Sequence, residues 1–226
     1  VLVTGMVYRH PGVLANMAST LDITSGGRLE LGIGAGWNEE ECEAFGIDLG
    51  TMTERFDRFE EGLGVLESLL TNDRTTFNGR YYNLTEAMNN PKPVQSPLPV
   101  CIGGAGKKRT LPLAARFAHH WNYSGTDPEG FATALGVLRD SCAAIGRDPA
   151  EITCSTILRW TGDASAFRSD AAAMEAAGLP IQPNWVVQAE FDFALAEKAA
   201  GIKRILPARG TQAPAVRSEE HTSELQ

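Results

Sequence analysis

The stretch "GGRLELGIGAGWNEEE", residues 26–41, decides how the rest of the chain is read. Leu29, Leu31 and Ile33 alternate into a strand, which breaks into Gly34, Ala35 and Gly36 before Trp37, Asn38 and three glutamates. A strand that ends on bare backbone suits close approach by a ligand, because no Cβ keeps the two apart. Gly26 and Gly27 read as the stop of a preceding helix. In that helix Pro11 suits the first turn, and Val13, Leu14, Met17 and Leu21 recur at helical spacing.

Strand and helix alternate outward from there. "VLVTG" at residues 1–5 opens in a buried strand. After the quoted stretch, Phe56, Phe59, Leu63, Leu66 and Leu70 make the apolar stripe of a long helix, with Glu54, Arg58 and Glu61 opposite. Residues 72–97 hold turn formers and three prolines, and read as an excursion across the surface. "LPVCIGGAG" (98–106) is a second strand ending in glycine. "KKRTLPLAARFA" (107–118) follows as a helix with Leu111, Ala114, Ala115 and Ala118 inward. "HHWNYSG" (119–125) is a strand, and a helix starts near Asp127–Pro128. "EITCSTILRW" (151–160) is a β-branched strand, two alanine-rich helices lie between 164 and 200, and "IKRILPARG" (202–210) is a final strand. Nearly every strand is apolar on both faces, which predicts one α/β domain built on a parallel sheet, with six strand–helix units visible.

Of 226 residues, 43% are hydrophobic and 21% charged, and the formal charge is −8. The acidic balance disfavours nucleic acid as a partner. No apolar run approaches the roughly 20 residues that cross a bilayer. Cys42, Cys101, Cys142 and Cys154 form no C-x-x-C pair, so metal-ligand spacing is absent and the thiols read as those of a reducing cytoplasm. His119 and His120, adjacent in a strand, point to opposite sides.

"GIGAGWN" runs G-x-G-x-G, whereas the dinucleotide fingerprint needs G-x-G-x-x-G opening directly into a helix. "CIGGAGKKRT" fails as an NTPase P-loop, because Cys101 stands where glycine is needed and Lys108 where serine or threonine is needed. Lys107, Lys108 and Arg109 nevertheless crowd a helix start, where the macrodipole disfavours cations by a few tenths of a kcal/mol each. A bound phosphate would reverse that penalty. Both glycine loops follow parallel strands, so they open on one face of the sheet, where ligands bind in barrels and open α/β sheets alike. One phosphate-bearing ligand touching both, either a flavin-type cofactor or a sugar phosphate, is the economical expectation. A tight turn with no ligand and a non-redox phosphate-binding barrel remain alternatives.

"VTGMVYRHPGVLANMASTLDITSGGRLELGIGAGWNEEE", "ERFDRFEEGL", "FNGRYY", "PKPVQSPLPVCIGGAG" and "AARFAHHWN" resemble, in this order, the bacterial-luciferase-like monooxygenase superfamily, and within it the coenzyme F420-dependent oxidoreductases. The resemblance is dense over residues 1–125 and looser over 126–210. It implies a (β/α)8 TIM barrel in which "VLVTG" is the third strand, so that two strand–helix units and the last helix lie outside this sequence. It further implies hydride transfer between coenzyme F420, or alternatively FMN with O2, and a small-molecule substrate, with room for a homodimer through the exposed helices. Carried over position by position, it makes Gly5–Met6 a cis peptide beneath the cofactor ring, with Tyr8 nearby. Ala35 and Gly36 fall beside the ring and ribityl chain, Asn38 and Glu41 as polar partners of that chain. Gly103, Gly104, Gly106 and Lys107 fall in the phosphate loop, and Asn122 after the next strand. His10 reads as a structural partner at the helix start. One position departs: Trp37 stands where the related sugar-phosphate dehydrogenases carry an acidic glutamate, and the other acid–base residue of those enzymes belongs to the part not present. No catalytic residue is assigned.

Residues 1–210 are thus expected to be one barrel domain and 211–226 a disordered tail. The last ten residues, "RSEEHTSELQ" (217–226), match residue for residue a reading frame of a common sequencing adapter, and are expected to be foreign to the domain. A fragment inactive by itself, with the activity belonging to its parent, is a further alternative.

Overall fold

The computed structural model describes residues 3–158 and 162–179. Strand β1 (Thr4–Gly5) leads through a single 3-10 turn (Met6–Tyr8) into helix α1 (Pro11–Ser25). Pro11 occupies the first turn, and the His10 ring caps it, Nδ1 accepting the Gly12 N–H at 3.0 Å. Gly26 and Gly27 end the helix at φ 67° and 76°, a conformation a side chain would strain. The buried face of α1 differs from the expected one. Leu14, Ala15, Ala18, Ser19 and Asp22 are buried, whereas Val13, Met17 and Leu21 are exposed among the described residues. Small residues face inward because α1 packs closely along the next long helix.

Strand β2 (Leu31–Gly34) is buried along its whole length. Helix α2 (Glu39–Ala44) and helix α3 (Met52–Thr71) follow, the latter opened by a reciprocal capping box between Thr51 and Glu54. Phe59, Leu63, Leu66 and Leu70 are buried as their spacing predicts, and Phe56 is half-buried. The opposite face is more than a solvated one: Glu61 accepts the N–H groups of Arg80, Tyr81 and Tyr82 at 2.9 to 3.2 Å. Those amides belong to an antiparallel hairpin, β3 (Thr75–Asn78) and β4 (Asn83–Ala87), so part of the expected surface excursion is regular structure.

Strand β5 (Val100–Gly103), helix α4 (Thr110–Phe117), strand β6 (His120–Tyr123), helix α5 (Pro128–Ala144), strand β7 (Thr153–Thr156) and helix α6 (Ala164–Ala176) complete the described elements. Asp127 caps α5 through the Gly130 N–H. The main sheet runs β1-β2-β5-β6-β7, every pair parallel. Trp121 stacks on Phe131 of α5 at 5.6 Å with Tyr123 edge-on, which fixes β6 against its helix. Five strand–helix units are therefore in place. The second alanine-rich helix, the strand expected at 202–210 and the tail from 211 lie outside the described residues.

The Gly5–Met6 peptide corrects another expectation. Among the described residues the cis bonds are Asn90–Pro91 and Ser96–Pro97, and Gly5–Met6 is trans. Gly5 is ordinary extended backbone (φ −82°, ψ 137°) entering the 3-10 turn, which buries Met6 against Gly62 of α3 without a cis bond.

Candidate cofactor site

Parallel pairing sets three glycines side by side at the C-terminal edge of the sheet: Gly5 is in register with Gly34, and Ile33 with Ile102, so that Gly34 neighbours Gly103. Each is glycine for a local steric reason. A Cβ on Gly5 would sit 3.0 Å from the Tyr8 ring, and one on Gly34 or Gly103 would meet Val3 at 3.3 or 3.2 Å. The two glycine loops singled out in the sequence therefore open next to one another, as parallel strands require.

In the first loop Gly36 has φ 94°, and its carbonyl accepts from Arg55 of α3 at 3.3 Å. Arg55 is 6% exposed and also faces Glu39 at 3.9 Å, so it ties the loop to the helix behind it. Sequence inspection missed this residue; its signal was a lone cation inside the otherwise apolar stripe beside Phe56 and Phe59. Ala35 is half-buried next to Gly36. Asn38 and Glu41, expected to reach toward a ribityl chain, are engaged within the protein. Asn38 caps α2 by accepting the Glu41 N–H at 3.1 Å. Glu41 accepts the Tyr8 hydroxyl at 2.7 Å, a contact that joins the β1 and β2 loops. That hydrogen bond, then desolvation and the carboxylate's charge, push the Tyr8 phenol up to about 12. Trp37, between these groups, is 80% exposed.

In the second loop Gly104 has φ 124°, and its N–H donates to the Asn122 carbonyl at 3.0 Å. Its own carbonyl accepts from Trp121 Nε1 at 2.7 Å. Thr110 lies directly beneath: a Cβ on Gly106 would meet its Oγ1 at 2.7 Å and one on Gly104 its Cγ2 at 3.1 Å. Helix α4 starts here with no side-chain cap at Arg109. Its first N–H groups and dipole thus favour an anion. The three expected cations divide. Lys107 and Lys108 are exposed, whereas Arg109 turns to Asp57 at 2.8 Å and Glu60 at 3.2 Å on α3. Arg109 ties the start of α4 to α3, while Lys107 and Lys108 stay exposed. Asn122 is buried, its amide directed to Ser155 Oγ at 2.8 Å on the inner side of the sheet.

The glycine cradle and the uncapped α4 terminus fit the phosphate of a flavin-type cofactor. Among the described residues no group of three or more His, Cys, Asp or Glu is placed to hold a metal ion. A cleft of about 370 Å³ beneath the hairpin, lined by Asp57, Glu61, Arg80 and Tyr81 among others, contains none of the glycine-loop residues. A larger cleft of about 510 Å³, lined by His10, Asn16, Leu69 and Met88 among others, likewise contains none of them.

The family profile of the luciferase-like monooxygenases matches residues 3–225. The chain belongs to that family. It is 34% identical over 140 residues to an F420-dependent glucose-6-phosphate dehydrogenase of Microbacterium testaceum, which covers 61% of this chain and 41% of the relative. It is 29% identical over 136 residues to an FMNH2-dependent dimethylsulfone monooxygenase of Pseudomonas putida, covering 60% and 38%. An F420-dependent secondary alcohol dehydrogenase, solved with an F420–acetone adduct, superposes with a TM-score of 0.65 at 20% identity, covering 90% of this chain and 71% of that one. A monooxygenase from Streptomyces bottropensis gives 0.60 at 26% identity, covering 77% and 54%. The fold is thus that of the luciferase-like TIM barrels, with the described strands forming five adjacent parallel staves. The chain spans about half the length of the curated relatives it matches. Among the described residues no helix is long and apolar enough to cross a membrane.

Proposed function

We propose that this chain is the cofactor-holding part of an oxidoreductase that transfers a hydride between coenzyme F420 and a small organic substrate. The observation that carries this is the row Gly5, Gly34, Gly103 at one sheet edge, ending in Lys107 at the uncapped start of α4. Gly103, Gly104 and Gly106 with Lys107 would take the phosphate. Gly5, Met6, Ala35 and Gly36 would support the ring and its chain, with Tyr8 and Glu41 bracing the loops around it. When bound, the cofactor supplies the hydride chemistry. The chain's own groups bind, orient and keep the loops in register. All four cysteines are free thiols, which agrees with a reducing cytoplasm.

A second reading, an FMN-dependent monooxygenase using O2, is favoured by the Pseudomonas putida relative. Titration separates the two. Quenching of F420 fluorescence without oxygen uptake supports the first, and FMN retention with oxygen uptake the second. Binding of neither would refute both.

A further inference from the structure

A polar cluster lies on the inner face of the sheet beside the second glycine loop. On β6, Trp121 faces the helices, so His120 and Asn122 on either side of it face inward. His120 Nε2 lies 2.6 Å from Ser155 Oγ on β7, and Asn122 Nδ2 donates to the same oxygen at 2.8 Å. His120 Nδ1 lies 2.7 Å from Glu30 Oε1, just before β2. An ionised carboxylate only accepts, so Nδ1 carries a proton; in the neutral imidazole Nε2 is then a lone pair that takes the Ser155 hydroxyl proton. A base oriented by a carboxylate and bonded to a hydroxyl is the arrangement that activates that hydroxyl. The Glu30 and His120 side chains are 47% and 16% exposed, and Ser155 is half-buried.

We propose that Glu30, His120 and Ser155 form a carboxylate–imidazole–hydroxyl relay that exchanges a proton with the substrate of the redox site at Ser155 Oγ. The inference rests on the oxidoreductase reading above and supplies the acid–base group that reading lacks. Asn122 pairs with Gly103 and Ser155 with Asn122, so Ser155 lies level with the glycine row at the edge where the strands end. The other titratable group in register with His120 is Cys101 on β5. Burial, with the nearby Glu30 charge, pushes its thiol up to about 12, so it stays protonated and does not compete as a base.

In the oxidising direction Ser155 Oγ accepts the proton of a substrate hydroxyl while its own proton passes to His120 Nε2. The resulting imidazolium is held by Glu30. A bound deazaflavin or flavin would supply the acceptor for the hydride, with its two electrons, that leaves the substrate carbon as the carbonyl forms. In reduction the same protons run backward. Ser155 is the catalytic hydroxyl; His120 and Glu30 act through it as positioning residues.

The direct test needs no cofactor. The 226-residue chain is treated with a fluorophosphonate and the adduct located by mass spectrometry. An adduct on Ser155, formed at least ~100-fold more slowly in His120→Gln and in Glu30→Gln, is expected, in keeping with general-base effects of that size. Circular dichroism checks that each variant is folded, and the part-exposed Glu30→Gln serves if His120→Gln is not. Absence of a Ser155 adduct, or an equal rate in a folded Glu30→Gln variant, overturns the relay. Turnover with F420 or FMN gives the second readout: Ser155→Ala should lower it ~100-fold while cofactor affinity stays within ~2-fold. A Ser155→Ala enzyme with undiminished turnover also overturns the relay. If neither cofactor binds the wild-type chain, the redox reading falls by itself, and the labelling still decides whether the hydroxyl is activated.

Discussion

The two edges of the parallel sheet are built on opposite principles. At the edge where strands begin, the chain satisfies its own polar groups. Asp22 is fully buried and accepts the Gln95 N–H at 2.9 Å, the Gln95 side-chain amide at 2.7 Å and the Leu29 N–H at 3.4 Å. Arg147 donates to the carbonyls of Ala115 and Ala118, each at 2.8 Å. At the edge where strands end, side chains are withdrawn: Gly5, Gly34 and Gly103 stand in a row, Lys107 and Lys108 are exposed, and α4 starts uncapped. One edge holds the sheet together. The other carries the glycines and the exposed lysines, and barrel enzymes hold their ligands at that edge.

That contrast can be broken or sharpened by substitution. The largest expected effect is on stability at the strand-start edge. Asp22→Ala strands the amides of Gln95 and Leu29 and should cost about 3 kcal/mol, read as a lower urea midpoint. Arg147→Ala, which leaves two carbonyls without their donor, should cost about 2 kcal/mol in the same measurement.

Acid should reveal the same lock. Burial works to raise the Asp22 carboxyl, but hydrogen bonds from Gln95, Leu29 and Val94 outweigh it and hold the group below its ordinary value. A depressed carboxyl contributes stability that is complete above the unfolded value near 3.9 and is lost as pH falls through the folded one. Stability of the wild type should therefore decline below about pH 4, and more steeply than that of Asp22→Asn.

At the strand-end edge the effects should fall on binding. Gly104→Val places a branched side chain at φ 124° and against Thr110, and should weaken cofactor affinity at least ~10-fold with a stability loss of about 1–2 kcal/mol. Lys107→Ala, at an exposed position, should weaken affinity only ~3-fold. That difference should shrink at high salt, with stability changed by less than about 0.5 kcal/mol.

The fold was largely legible in the residues because buried parallel strands and amphipathic helices carry their periods openly. Phe59, Leu63, Leu66 and Leu70 are buried as their spacing predicts, and Leu111, Ala114, Ala115 and Ala118 likewise. Helix α1 deceived for a physical reason: spacing alone made Val13, Met17 and Leu21 a core stripe, whereas close packing on α3 selected Ala15, Ala18 and Ser19. The glycine edge was legible because absent side chains are visible in a sequence. Partner choice was not. Nothing local says that Arg109 turns to Asp57, that Glu41 takes the Tyr8 hydroxyl, or that Glu30, His120 and Ser155 meet across 125 residues of chain. The peptide geometry at Gly5–Met6 was likewise beyond the residues, since ω leaves no trace in composition or pattern.

The central claim is that the two neighbouring glycine loops hold one phosphate-bearing redox cofactor. Its most direct measurement is a fluorescence titration of the 226-residue chain with F420 and with FMN, run beside Gly104→Val and Lys107→Ala. Saturable binding of one cofactor, weakened at least ~10-fold by the first substitution and ~3-fold by the second, is the predicted result. Binding of neither cofactor, or binding indifferent to both substitutions, would contradict it.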